Sequence, residues 1–377
     1  MKKLLLIGAG PSNLEALRQF GGAQPDSAYL TIVNPLHLSP CHGMLPGLVA
    51  GHYAHAQCHV DLDPLARKAG AKLVLKRVIA LDPDARTVTL ESGAPLEFDV
   101  ASIDIGSIPL IPDVPGLRDY ALLARPAEIF LQGWERIVEL ASDGALRRFT
   151  VAGGEASGVE LMLAMQHRLM NALAAEAFER CGFSIVTGAA CLLANGPAEL
   201  SRAAERVCAQ RGISLLRGAA VTVIERDAIQ LANGARLASD VTIWAVGEQA
   251  PRWLSGSGLA CDEGGFMQVG DTLLSTSHGS VFGCGDCVSA LPRPRPRPAT
   301  AAQGALHGGV LARNLRHALA AGSLESVPPA GTSLTVLGLG GRQALALRGG
   351  HAPAWPRWLV WRWKDRLERR WVRRYSV

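Results

Sequence analysis

Short apolar runs that end in glycine alternate with segments of helical spacing along most of the chain. Residues 3–7 form an apolar run of the kind that makes a strand buried on both faces, and Gly8-Ala9-Gly10-Pro11-Ser12-Asn13 follows at once. Residues 14–20 then carry apolar positions at helical spacing, and a second strand is predicted over residues 29–33, ending at Asn34. The same order returns about 145 residues later. Residues 148–152 read as a strand, residues 153–160 (Gly-Gly-Glu-Ala-Ser-Gly-Val-Glu) as a turn opening a helix through Leu169, and residues 183–186 as the next strand, ending at Thr187 and Gly188. Between these units, residues 78–90, with Asp84-Ala85-Arg86 as a turn, and residues 96–106 read as strands of a meander. A matching segment, residues 241–247, closes the second unit. A short strand near residue 282 ends in Gly285-Asp286, and residues 308–319 form a later helix.

Strand, glycine turn and helix in that order are the context in which a dinucleotide fingerprint has meaning. Gly8 permits the tight turn, and Gly10 lets the backbone approach a pyrophosphate held at the positive end of the helix. Asn13 stands where the third glycine belongs, and Asn34 where an acid would bind a ribose hydroxyl. The second turn keeps three glycines, Gly153, Gly154 and Gly158, but its second strand also ends without an acid, and no arginine marks a 2′-phosphate site. A first Rossmann half at residue 8 and its completion near residue 286 require an insertion between them. The expected fold is therefore α/β, with two Rossmann-like dinucleotide-binding domains, the second inserted in the first, and a C-terminal amphipathic extension. The expected boundaries are 1–110 with 248–325 for the first domain, 111–247 for the second and 326–377 for the C-terminal region.

Length and composition agree with this division. A chain of 377 residues exceeds one ordinary core, and 48% hydrophobic with 19% charged residues argues against disorder. The net charge of +5 invites a nucleic-acid reading, but it is local. Residues 355–377 hold eight Arg or Lys against Asp365 and Glu368, so the rest of the chain is close to neutral, and no nucleic-acid partner is expected. Eight cysteines without a regular framework, and a start that runs straight into a glycine turn, point to a reducing cytoplasm. No apolar stretch reaches the roughly 18 residues of a spanning helix.

The segment ending in Gly285-Asp286 resembles the second FAD signature of the pyridine nucleotide-disulfide reductase superfamily, whose aspartate binds the ribityl chain. The whole resembles the type II NADH dehydrogenase branch, and most closely the flavoprotein module that some organisms fuse to selenophosphate synthase. Residues 43–53 (Gly-Met-Leu-Pro-Gly-Leu-Val-Ala-Gly-His-Tyr), the return at 103–107, the Gly-Asp segment and the tail at 361–365 (Trp-Arg-Trp-Lys-Asp) carry that resemblance. It implies FAD held by Gly8, Gly10, Pro11, Ser12, Asn13, Asn34, Met44, Gly106, Gly285, Asp286 and Gln303. It implies NAD(P)H held by Gly153, Gly154, Ser157, Gly158, Glu160 and Gly247, with Glu160 placed by resemblance alone. Hydride would pass from NAD(P)H to FAD and on to an acceptor, in this branch a quinone, with the flavin carrying the chemistry and no catalytic side chain required. Where the branch has a glutamine pair lining the quinone pocket, only Gln303 stands here, which leaves open a reductase for a small-molecule or selenium-linked acceptor. Asn13, Asn34, Glu155 and Thr187 also leave open an FAD-binding redox sensor without nicotinamide turnover.

Other candidate chemistry reads as bland. A disulfide relay needs two neighbouring cysteines, but Cys58 lies 17 residues beyond Cys41, and Cys284 with Cys287 brackets the Gly-Asp pair. Histidines 37, 42, 52, 55 and 59 match no metal-site spacing and read as loop residues near the flavin ring or on the surface; no metal is expected. The Arg-Pro run at 293–298 reads as a short extended basic loop. In the tail, Leu359, Trp363, Leu367, Trp371 and Tyr375 make one helical stripe flanked by arginines, the composition of a helix lying on an anionic membrane surface. The type II branch ends in such helices, which implies a peripheral location on the cytoplasmic face of the inner membrane. The other reading packs the stripe on the protein itself or on a second subunit of a homodimer.

Overall fold

The computed structural model describes residues 1–23, 28–291, 301–329, 334–348 and 357–376. Five parallel strands make the first sheet, in the order Val281–Gly283, Val100–Ile103, Lys2–Ile7, Ala28–Asn34, Lys72–Leu75. The central strand is apolar without alternation because both faces are covered: Leu4, Leu5, Leu6 and Ile7 are all buried. A second parallel sheet runs Ala121–Leu123, Val241–Trp244, Arg148–Ala152, Gly182–Val186, Ile213–Leu216. All its strands fall between the fourth and fifth sequential strands of the first sheet, Val100–Ile103 and Val281–Gly283. The α/β class and the paired Rossmann-like units are thus both present.

One predicted element divides. Residues 96–106 do not continue the meander as one strand. Leu96–Glu97 closes an antiparallel sheet with Val78–Asp82 and Thr87–Leu90, while Val100–Ile103 enters the parallel sheet beside Lys2–Ile7. The reason is burial. Val100, Ala101, Ser102 and Ile103 are covered on both sides, which suits a central parallel strand and not a half-exposed meander.

The first helix, Pro11–Phe20, packs along the long helix Ala301–Ala320, and two glycines permit the close approach. A Cβ on Gly304 would stand 2.3 Å from Pro11 Cβ, and one on Gly308 2.5 Å from Glu15 Cβ. The C-terminal helix, Arg357–Tyr375, then docks on the other side of the first helix. Its expected stripe is split. Trp371 and Tyr375 are buried, whereas Leu359, Trp363 and Leu367 are exposed at 43%, 38% and 46%. The lower stripe packs on the protein itself because Glu15, buried on the first helix, draws it in. Arg374 donates to Glu15 from Nε and Nη2 at 2.9 and 2.8 Å, and Tyr375 donates its hydroxyl at 3.1 Å. Arg18 and Gln19 complete the shell.

Burial alone would raise the Glu15 carboxyl, but the hydrogen bonds from Arg18, Arg374 and Gln19 outweigh it and hold it down to about 2. A carboxyl depressed below its ordinary value near 4.5 stabilises the fold above that pH, and the contribution is lost as pH falls toward 2. Arg374→Ala is expected to cost about 1–3 kcal/mol at neutral pH, since it leaves a buried carboxylate short of a charged donor. Urea unfolding should show the gap between variant and parent closing between pH 4.5 and 2; a gap independent of pH would contradict the assignment.

Candidate functional site

The residues expected to hold the first dinucleotide converge at the carboxyl ends of the first sheet, where open α/β sheets bind such ligands. Gly8 has φ +84°, and a Cβ there would stand 2.4 Å from the carbonyl oxygen of Asp104. Only glycine fits that approach. Gly10 caps the first helix, and Pro11 occupies the first helical position. Asn13, in place of the third glycine, is fully buried. Its amide donates to the carbonyls of Gly8 and Ile7 at 2.9 and 3.2 Å and accepts from Ser102 Oγ at 2.7 Å, so it ties the turn to the strands beneath it. Asn34 accepts the Ala9 N–H at 3.1 Å and donates to the Leu36 carbonyl at 2.7 Å. It braces the turn from the second strand. Gly285, with φ +72°, and Asp286 face the same turn from the far side, and the contact of Gly304 with Pro11 sets Gln303 beside it. Gly106 follows two residues after Asp104, with open space where a Cβ would stand.

Sequence reasoning passed over Asp104 itself. Its carboxylate lies wholly buried under the turn, with Oδ2 accepting the N–H groups of Ser12 and Asn13 at 2.6 and 2.9 Å. The signal was available, because an aspartate between Ile103 and Ile105 in a buried return has to find donors.

The second turn repeats the first with one shift in register. Gly153 donates to the Val186 carbonyl as Gly8 does to that of Val33, both at 2.8 Å, and Glu155 caps the second helix as Gly10 caps the first. Three glycines are present, but the position matching Gly10 is Glu155. Gly154 meets Thr187, and Gly158 packs against the Gly153 carbonyl, each too close for a Cβ. Ser157 is exposed beside them. The Glu155 side chain is exposed and accepts from Asn195 at 3.0 Å. Glu160 stands on the helix Ala156–Ala172 that follows the turn. It accepts the Gly338 N–H at 2.5 Å, on the hairpin Leu334–Gly338 with Ala344–Arg348.

The two returns cross between the sheets. Ile108–Pro109 pairs antiparallel with Glu248–Gln249, just beyond Gly106 and Gly247, and Gly247 has φ +64°. Arg125 bonds Ser107 at 2.8 Å and Glu248 at 2.7 Å, and Ser107 donates to Glu248 at 2.8 Å. This network was not foreseen either.

Met44 is fully buried in the turn His42–Met44, and the C-terminal helix closes over its neighbour Gly43. Lys364 donates to the Gly43 carbonyl at 2.6 Å and pairs with Glu368. Burial pushes the Glu368 carboxyl up to about 7 against the opposing pull of Lys364, and its Oε2 finds no partner among the described residues. A small cavity next to it is lined by Gly43, Pro46, Gly47, Tyr53, Trp361 and Lys364.

Cys41 and Cys58 are brought face to face despite their separation, with the Cys41 N–H donating to the Cys58 carbonyl at 2.7 Å. Both are buried, and burial pushes each thiol up to about 12, a condition for inert thiols and not for a relay. Cys284 and Cys287 are buried too. Of the five histidines at 37–59, His59 is not on the surface: it is buried and stacks on His55 at 3.8 Å. Among the described residues no group of three His, Cys, Asp or Glu is placed to hold a metal. The Arg-Pro run at 293–298 lies outside the described residues.

Comparison with known proteins agrees with this fold. An NADH dehydrogenase-like protein of Mycobacterium tuberculosis is 26% identical over 243 residues, covering 62% of this chain and 59% of that protein's length. A type II NADH:quinone oxidoreductase of Haemophilus influenzae is 23% identical over 343 residues, covering 77% and 74%. The crystal structure of a sulfide:quinone oxidoreductase from Aquifex aeolicus superposes over all of this chain and 92% of its own, with a TM-score of 0.83 at 19% identity. Residues 2–305 match the sequence profile of the pyridine nucleotide-disulphide oxidoreductases, whose cofactors are FAD and NAD(P)H, and the chain belongs to that family.

Proposed function

We propose that the chain is an FAD-dependent NAD(P)H oxidoreductase whose electron acceptor is a quinone taken from a membrane surface. The observation that carries this reading is the pair of strand, turn and helix units in one chain, each opening at the carboxyl end of its own parallel sheet. The first unit would hold FAD through the turn at 8–13, Asn34, Gly106, Gly285, Asp286 and Gln303, with Met44 nearby. The second would hold NAD(P)H through Gly153, Gly154, Ser157, Gly158 and Gly247. When bound, nicotinamide would supply a hydride and flavin would accept it, and the chain's own residues would orient the two groups. Two of the matched proteins are named for quinone reactions, which supports the acceptor.

The tail supports the membrane. With Trp371 and Tyr375 turned inward, Trp358, Leu359, Trp363 and Leu367 remain exposed, and Arg362, Arg366, Arg370 and Arg373 stand exposed on the same helix. Indoles with cations over one outer face suit a headgroup boundary. No described helix is long and apolar enough to cross a membrane, so the contact proposed is peripheral.

Anaerobic titration with NADH and then NADPH is expected to bleach the flavin absorbance, and a short-chain quinone to restore it. Bound flavin that neither dinucleotide bleaches would favour a redox sensor over an enzyme. Glu155→Gly, which restores the residue found at the matching cap, should lower the KM for NAD(P)H about fivefold, the scale of one screened surface charge. An unchanged KM would mean that the pyrophosphate does not approach this cap. On vesicles rich in anionic lipid, Arg366→Glu with Arg370→Glu should weaken binding at least tenfold, at about 1 kcal/mol per charge near the surface. Equal binding by variant and parent in sedimentation would reject the tail as the contact.

A further inference from the structure

Every backbone donor of the first turn is already engaged. Gly8 donates to Val33 O at 2.8 Å, Ala9 to Asn34 Oδ1 at 3.1 Å, and Gly10 to Asp104 O at 3.0 Å. Pro11 has no N–H. Ser12 and Asn13 donate to Asp104 Oδ2, and Leu14 begins the intrahelical ladder by donating to Gly10 O at 2.9 Å. The helix N-terminus that would meet a pyrophosphate therefore already holds an anion, and that anion is a side chain of the return strand. The space left by the absent side chain of Gly10 is used by the same group: a Cβ there would stand 2.3 Å from Asp104 Oδ1, and one on Gly285 2.2 Å from it. The glycines on both sides of the expected cofactor path thus surround a carboxylate. In the second unit Ala245 stands at the matching point of the return, against Gly153, and has no carboxylate to play this part.

We infer that the Asp104 carboxylate is a resident anion that occupies the donors of the first turn and gives them up, in its neutral form, when the flavin dinucleotide's pyrophosphate binds. The inference rests on the flavin reading of that turn. Its electrostatics follow from the surroundings. Among the described residues, the titratable groups facing Asp104 are Asp286 and the buried Cys287 thiol, both on the turn Gly285–Cys287, and neither offers a positive charge. The first helix presents only the neutral Ser12 and Asn13. Burial, and then the charge of Asp286, push the Asp104 carboxyl up to about 7 against the two N–H bonds and the Ser12 hydroxyl bond that favour the anion. A pyrophosphate would add negative charge and raise it further. Below about pH 7 Asp104 is neutral before binding; above it, binding takes up one proton from solvent at Asp104.

The test is FAD binding to the full-length apoprotein, followed by quenching of flavin fluorescence from pH 6 to 9. For the wild type, Kd should rise up to about tenfold per pH unit above 7 and stay flat below it. Asp104→Asn, a neutral isostere that can still accept both N–H groups, and Asp104→Ala, which copies Ala245, should flatten the profile and bind at least tenfold more tightly than the wild type at pH 8.5. Variants that keep the wild-type slope, or that bind more weakly at every pH, would overturn the inference and make Asp104 a fixed anchor of the turn. Calorimetry of the wild type in buffers of different ionisation enthalpy provides a check that needs no variant. About one proton taken up per FAD at pH 8 supports the displacement, and none refutes it. Absence of FAD binding by wild type and variants alike at pH 6 would instead remove the flavin reading.

Discussion

The architecture depends on one steric constraint, the close passage of each glycine turn over the end of a return strand. Gly8 passes over Asp104 and Gly153 over Ala245, and in both cases a Cβ would stand 2.4 Å from a carbonyl oxygen. Both glycines have positive φ, +84° and +134°, which other residues adopt only under strain. The contact aims the helix that follows so that its N-terminus opens at the edge of the sheet. It also sets each return strand beside the first strand of its own unit, so that the chain can leave the first sheet at Ile103, build the second, and come back by way of Trp244 to the crossing at Glu248. The inserted order is a consequence of where these returns lie.

Buried carboxylates show how the fold distributes its electrostatic cost. Glu15 and Asp104 are wholly buried, Glu368 is largely covered, and the three have different partners. Glu15 is met by two guanidinium groups and stays ionised, its carboxyl held down to about 2. Asp104 receives only neutral donors, two N–H groups and the Ser12 hydroxyl, and faces a second carboxylate; Glu368 has one ammonium but an oxygen without a partner among the described residues. Both rise to about 7. Two guanidinium groups outweigh desolvation at Glu15, whereas one ammonium at Glu368 and neutral donors at Asp104 do not. The satisfied carboxylate joins two helices, and the two poorly satisfied ones lie beside the turns at 8–13 and 42–44, both proposed to meet the flavin.

The parts legible in the sequence are those fixed by local rules. An apolar run followed by glycine and a helical period is enough to place the turns at 8–13 and 153–158, because a doubly covered strand and a tight turn each demand particular residue types at fixed offsets. What escaped depends on partners distant in sequence. The tail's stripe is regular, but only Glu15 on the first helix decides that Trp371 and Tyr375 turn inward while Trp363 and Leu367 stay out. Residues 96–106 looked uniform, and only coverage by other elements separates Leu96–Glu97 from Val100–Ile103. The glycine count of the second turn concealed its register, which the bond from Gly153 to Val186 reveals by setting Glu155 opposite Gly10.

Two acidic residues set the two units apart: Glu155 at the second cap, where the first has Gly10, and Asp104 under the first turn, where the second has Ala245. Glu155 is exposed at the second cap, where solvent and salt reduce its effect on an incoming anion. Asp104 is buried at the first, where no solvent screens it and the only relief is a proton or movement of the group. A carboxylate of the second kind would be eliminated from a simple cradle, since an apolar residue such as the Ala245 of the other unit fits the same place. Its presence under the glycine turn, bonded to the two donors that a pyrophosphate would need, is therefore explained by a role in controlling occupancy better than by a role in folding.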